Sequence, residues 1–346
     1  MYLVIAICIL LIAPAPIWAL NDSPAPWVRE LCDSTAPALD VFAYITNRDD
    51  NTVSIIDTST QMVIETLTVG ESPRSITVTP DGRQVYVANH LGNSISVISA
   101  PDNNIRATVR VNPRPYAIAA HPDGSTVYVG HWGNRIMSAI DTETLSVSLM
   151  NIPAIRPPDE DQGLRGIVVH PDGDTIYVAN RNTHELFVID VATGSMTTAI
   201  PVGRVPFSIA IHPSGSAVYV GNNEDHSISV VDTATNRVID EVRLGAGVDP
   251  QSVAVHPDGR TAYVSNGDAN TITLMDTATH RFVGTITVRG SPRTIAVDPN
   301  GMTLYTINRN AETVSFVDLA TESVTATIPV GSVPVSFGQF LGAIRR

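Results

Sequence analysis

The chain contains no lysine: all 21 of its basic residues are arginine. That absence removes Schiff-base chemistry and any lysine general base. Cysteine is almost missing too, occurring only as Cys8 and Cys32. Cys8 falls in an apolar N-terminal run, so Cys32 is left as a single thiol that cannot close an internal disulfide. It reads as an inert or partly buried group, with intermolecular pairing as the alternative. No Cys-x-x-Cys-His haem attachment, nucleophile elbow, phosphate-cradling glycine loop or metal-ligand signature occurs. Gly290-Ser291-Pro292 reads as a connection between repeats rather than a catalytic serine turn. Charge is scarce at 16% of residues against 43% hydrophobic, a balance that suits strands buried on both faces. The net charge of −13 repels phosphate backbones and argues against a nucleic-acid partner.

The stretch Tyr2 to Leu20 is apolar, interrupted by Pro14 and Pro16, and ends in Ile17-Trp18-Ala19. This pattern predicts a secretory signal over residues 1–19, cleaved near Ala19, and hence a secreted or periplasmic protein. No arginine precedes the run, so an uncleaved membrane anchor stays open as the competing reading. Residues 20–41, with Pro24, Pro26 and Pro37, read as a lead-in segment.

What the chain has in abundance is repetition. Tyr44, Tyr86, Tyr128, Tyr177, Tyr219, Tyr263 and Tyr305 recur at intervals of 42, 42, 49, 42, 44 and 42 residues. Each lies in an apolar run such as Val85-Tyr86-Val87-Ala88-Asn89. Around it stand an apolar strand, a Pro-Asp-Gly hairpin, an alternating third strand and a fourth strand. Units of this length and strand content predict one four-stranded propeller blade each. The expected fold is all-β, a seven-bladed propeller of antiparallel blades over residues 42–341, with 342–346 as a tail. The first unit lacks a first strand, and Val335-Ser336-Phe337-Gly338-Gln339 supplies a spare one, so the C-terminal strand is expected to close the ring. Asp57, Asp141, Asp190, Asp232, Asp276 and Asp318 open the turns between third and fourth strands, where an aspartate bonds the backbone ahead of it. His121, His170, His212 and His256 precede hairpin turns on the opposite end and read as backbone caps.

With Tyr44-Ile45-Thr46-Asn47 and Tyr86-Val87-Ala88-Asn89 as its motifs, the chain resembles the YVTN-family β-propeller repeat proteins over residues 42 to 340. Propellers of this kind include surface-layer proteins, subunits of quinoprotein assemblies, the haem-binding propeller of nitrite reductases, and lactonases or lyases. The resemblance therefore implies the fold and leaves the activity open.

Chemistry is expected where the repeats differ. Aligned first strands place Arg74, Tyr116, Arg165, Phe207, Gln251, Arg293 and Val335 at the channel mouth. The next position is always small (Ser75, Ala117, Gly166, Ser208, Ser252, Thr294, Ser336), as crowding near an axis demands. The arginines, with Arg114, Tyr116 and Gln251, suit a small anion held by charge-assisted hydrogen bonds. Loops after the second strand add His90, His131, Trp132, Arg181, His184, Asp225 and His226 to that face. No metal centre is expected, because these histidines are spread over several blades without ligand spacing. The seven extra residues between Tyr128 and Tyr177 fall in Ile155 to Leu164, an acidic, proline-stiffened loop whose carboxylates could face Arg165 or Arg114.

These residues favour a monomeric binding or scaffold propeller whose upper face takes a small anionic ligand or a protein partner, with no cofactor. An enzyme on a small anionic substrate is the alternative: Arg74, Arg114, Arg165 or Arg293 would hold charge and His131, His184 or His226 would act as base. A cofactor-binding redox propeller would need an axial histidine at the mouth.

Overall fold

Short apolar runs bounded by proline, glycine and asparagine are too brief for helices and form antiparallel strands. The computed structural model describes residues 39–133, 136–151, 163–245 and 247–345. They form seven four-stranded antiparallel sheets and no helix. Blade 1 combines Leu39–Asn47, Thr52–Asp57 and Met62–Thr68 with the last strand, Leu341–Arg345. Blades 2 to 7 follow in chain order from the inner strands Pro73–Val78, Pro115–Ala120, Leu164–Val169, Pro206–Ile211, Pro250–Val255 and Pro292–Val297. Each runs from the axis outward. Second and third strands are buried along nearly their whole length, while the outermost strands are largely exposed.

The core lies between blades rather than within them. Tyr86 and Val97 of blade 2 cluster with Ile118 and Val129 of blade 3, and Tyr177 of blade 4 with Val218 and Val220 of blade 5. Tyr305 and Phe316 of blade 7 meet Tyr44 and Ile45 of blade 1, which closes the ring. All seven recurring tyrosines are buried. The expected seven-bladed propeller is therefore the fold observed.

The closing strand differs from the expected one. Leu341–Arg345, not Val335–Gln339, pairs with the first strand, from Leu39↔Arg345 to Ala43↔Leu341. Residues 342–345, expected as a tail, belong to that strand. Residues 335–340 instead bridge two blades. Val335 N–H donates to the Thr46 carbonyl (3.1 Å) and Phe337 N–H to the Arg74 carbonyl (3.1 Å), while Ile76 N–H donates to Phe337 (2.8 Å). In a regular strand the N–H groups of Val335 and Phe337, two residues apart, would face the same neighbour; here they go to different blades, so the segment departs from strand geometry.

Repeated polar contacts fix the turns. Threonine N–H three residues on donates to Asp141, Asp190, Asp232, Asp276 and Asp318 at 2.7–2.8 Å, and Ser59 N–H does so to Asp57 at 2.9 Å. The pre-hairpin histidines cap as expected: Nδ1 accepts the N–H two residues on. They also do something the sequence hides, since their Nε2–H donates to a glycine carbonyl of the next blade. His121 reaches Gly173, His170 Gly215, His212 Gly259 and His256 Gly301, at 2.9–3.0 Å. The N-terminal signal or anchor, the lead-in up to residue 38, both cysteines and residues 152–162 of the acidic loop lie outside the described residues. Among the described residues no helix is long and apolar enough to cross a membrane.

Candidate functional site

In blades 2 to 7 the pairing of the inner strand skips one residue at its start. Pro73 pairs with Asn89 and Ser75 with Ala88, leaving Arg74 between them as the extra residue of a β-bulge. The same shift isolates Tyr116, Arg165, Phe207, Gln251 and Arg293. A bulge re-aims its extra side chain. Here it turns six side chains toward the axis, and in five of these blades a proline opens the strand where no ladder donor is needed. The small residues that follow pack the inner strands together. Ser75 Oγ donates to the Tyr116 carbonyl and Thr294 Oγ1 to that of Val335, and a Cβ on Gly166 would lie 2.5 Å from Ile209.

The seventh member of the mouth is Phe337 rather than the expected Val335, which is buried. The bridging segment carries the phenyl ring to within 6.1 Å of the Tyr116 ring and 5.4 Å of the Phe207 ring. Gly338 makes this possible: its φ is +104°, and a Cβ there would stand 2.4 Å from the Ile76 carbonyl oxygen. The result is a collar in which guanidinium groups are interleaved with aromatic rings, with Gln251 between Phe207 and Arg293 in blade order. Arg74 lies 5.4 Å from the Tyr116 ring, and Arg165 lies 4.5 Å from Tyr116, 4.0 Å from Trp132 and 5.0 Å from Phe207. Arg293 lies 5.5 Å from Phe207 and 5.9 Å from Phe337. Arg165 also donates to the Tyr116 hydroxyl. Beneath the collar lies an open channel of about 530 Å³ lined mainly by small and aliphatic residues.

The collar is charged, and among the described residues Asp49, which is paired with Arg48, acts on Arg74 and Arg309 from a distance. No ion pair among the described residues involves Arg74, Arg165 or Arg293. Their Nε atoms, and Oε1 of Gln251, are shut off from solvent without a hydrogen-bond partner. Each such group costs on the order of 1–3 kcal/mol, more when charged. Unpartnered Oδ1 atoms also occur at Asn47, Asn89, Asn222, Asn266 and Asn308, but there the repetition from blade to blade marks a property of the fold. Burial pushes the Arg165 pKa down to about 10, with Arg181 and Arg74 adding repulsion. Arg293 is lowered by burial first and then by Arg309, Arg74 and Arg48. His90, edge-on to Tyr116 at 5.6 Å, is held at about 4 by burial and then chiefly by the charge of Arg74, so its ring is neutral at pH 7.

Arg48 and Arg309 were missed in the sequence although a signal exists. They follow the buried asparagine that ends the second strand, the position that also supplies His90, Trp132 and Arg181 (behind His131 in blade 3). Arg48 is neutralised by Asp49 at 2.6 Å.

Other expected site residues stand apart from the collar. His131 takes the place that asparagine holds in six blades; it is fully buried, with Nδ1–H donating to the Pro113 carbonyl (3.2 Å) and Nε2 accepting from Ser138 (2.8 Å). His184 and His226 are left-handed turn residues, at φ +59° and +51°, equivalent to Asn51, Asn93 and Asn270. His184 Nδ1 accepts Val205 N–H (3.1 Å) just as Asn93 accepts Arg114 N–H (2.9 Å), and His226 Nδ1 lies 2.8 Å from Asp249. Arg114 is itself a left-handed loop residue at φ +57°, exposed on the rim. The structure thus gathers Arg74, Tyr116, Trp132, Arg165 and Arg293 with Arg181 beside them, sets Gln251 at the equivalent bulge of its blade, and leaves the three candidate bases elsewhere. Among the described residues no group of three or more His, Cys, Asp or Glu is placed to hold a metal.

Fold and mouth together define a seven-bladed propeller with a cationic, aromatic-lined collar at one end of its channel. The profile of the YNCE-like beta-propeller family matches residues 30–341, and the chain belongs to that family. No curated protein matches the sequence. Among solved structures, hydrazine synthase of Kuenenia stuttgartiensis is similar at 21% identity and a TM-score of 0.70, over 79% of this chain and 95% of that one. A functionally unknown protein from Desulfotomaculum acetoxidans aligns at 16% identity and a TM-score of 0.73, over 88% and 99%. Dihydro-heme d1 dehydrogenase NirN, solved in complex with DHE, aligns at 17% and 0.66, over 85% of this chain and 64% of that one. At such identities the likeness concerns the fold alone.

Proposed function

We propose that the protein is a secreted or periplasmic ligand-binding propeller that holds an anion at its collar. The observation that carries this reading is the set of three half-buried guanidinium groups, Arg74, Arg165 and Arg293, whose Nε atoms are sealed and unpartnered and which have no ion-pair partner among the described residues. A protein of net charge −13 has acid to spare, yet none of the described ion pairs places it here. Buried charge without a partner is costly, and an arriving anion removes that cost through charge-assisted, bidentate hydrogen bonds. The apolar start Tyr2–Leu20 supports the location.

The test is thermal unfolding with sulfate, phosphate or citrate at constant ionic strength, for the wild type and for Arg74→Gln and Arg293→Gln. Anion binding to the folded state raises the wild-type midpoint, by about 2.7 kcal/mol of stability at a hundredfold excess over Kd. The variants are expected to start from a higher midpoint without ligand, because like-charge repulsion falls. They should bind at least about tenfold more weakly. A wild type indifferent to every anion, with both variants less stable than it, would overturn the proposal.

A further inference from the structure

We infer that the ligand of this collar is a multivalent anion with a flat apolar body, in the chemical class of aromatic polycarboxylates. The inference rests on the anion-binding reading above and adds what the anion must look like.

The first consideration is spacing. Arg74, Arg165 and Arg293 stand in blades 2, 4 and 7, so their charges are separated by two, three and two blade steps around the ring. The second is what occupies the middle. Phe337 is in ring contact with both Tyr116 and Phe207 and lies 5.9 Å from the Arg293 guanidinium. A bare oxyanion shared by all three arginines would have to sit against this hydrocarbon, losing hydration without gaining a donor there. The third is the amount of charge. Arg181 and Arg309 act on the collar arginines and likewise have no ion-pair partner among the described residues. A single negative charge would leave most of that repulsion in place.

A ligand with hydrocarbon at its centre and carboxylates at its edge meets all three conditions. Its body lies against Phe337 and the adjoining rings, and its carboxylates point outward to guanidinium groups already oriented by cation–π contact. Trp132, half-buried under Arg165, extends the apolar floor toward the rim.

Isothermal titration of the full chain at fixed ionic strength compares benzoate, isophthalate, benzene-1,3,5-tricarboxylate, propane-1,2,3-tricarboxylate and inorganic phosphate. Affinity is expected to rise about tenfold with each added carboxylate along the aromatic series. The aromatic tricarboxylate should bind about tenfold more tightly than the aliphatic one. Phe337→Leu should bring those two to within about threefold while propane-1,2,3-tricarboxylate still binds as to the wild type. Equal binding of the two tricarboxylates, equal binding of benzoate and the aromatic tricarboxylate, or phosphate as the tightest ligand would each overturn this inference while the anion reading stood. Failure of all five to bind would overturn both. Circular dichroism reports whether Phe337→Leu folds, and if it does not, the wild-type series decides alone.

Discussion

His131 shows how one substitution within a repeat changes the meaning of a residue. In five other blades an asparagine at this place donates from Nδ2 to hydroxyls of the third strand, as Asn89 does to Ser94 and Ser96. Histidine fills the same buried slot and meets Ser138 with Nε2. Burial lowers its pKa from an ordinary 6.5 to about 4. The unfolded chain therefore takes up this proton first, so the contribution is intact above pH 6.5 and is lost as pH falls toward 4. Comparing denaturant unfolding at pH 7.5 and pH 5, His131→Asn is expected to lose about 2 kcal/mol less stability than the wild type. Identical acid profiles in the two proteins would mean that the ring is not sealed from water.

At the scale of elements, the segment 335–340 does more than join strands. Its hydrogen bonds alternate between Thr46 in blade 1 and Arg74 and Ile76 in blade 2, and that alternation delivers Phe337 to the collar. Ser336 adds a hydroxyl that bonds Thr46 N–H. Gly338 is the point on which this depends, because any side chain there meets the Ile76 carbonyl at 2.4 Å and a backbone at φ +104°. Gly338→Ala is expected to cost about 1–3 kcal/mol in equilibrium unfolding. It should also weaken aromatic anions more than aliphatic ones, since Phe337 must shift. A variant as stable as the wild type would show that the segment tolerates a different path.

For the whole molecule, closure is the main question of stability. Leu341–Arg345 covers the inner edge of the strand Leu39–Asn47, and the cluster around Tyr44, Phe340 and Tyr305 joins the two ends of the chain. Deleting residues 341–346 exposes that edge to other chains. Size-exclusion chromatography should then show dimers or aggregates, and the unfolding midpoint should drop. A monomer with an unchanged midpoint would mean that residues 335–340 alone suffice to seal the ring. The histidine-to-glycine hydrogen bonds at the opposite end tie blades 3 to 7 in series, so damage to closure should spread rather than stay in blade 1.

Blade number, turn chemistry and six of the seven mouth residues were legible in the sequence alone. All of these follow from local rules: strand period, proline and glycine at turns, and the alignment of one repeat with the next. The tertiary structure alone decided that Phe337 rather than Val335 completes the collar, that His131 is sealed, and that Leu341–Arg345 closes the ring. It also decided that Arg74, Arg165 and Arg293 meet aromatic faces and form no ion pair with a carboxylate of the described residues. The reason is distance along the chain. Contacts such as Thr46 with Ser336, 290 residues apart, depend on how seven sheets meet around an axis, and no periodicity within a repeat encodes which side chain stands across it.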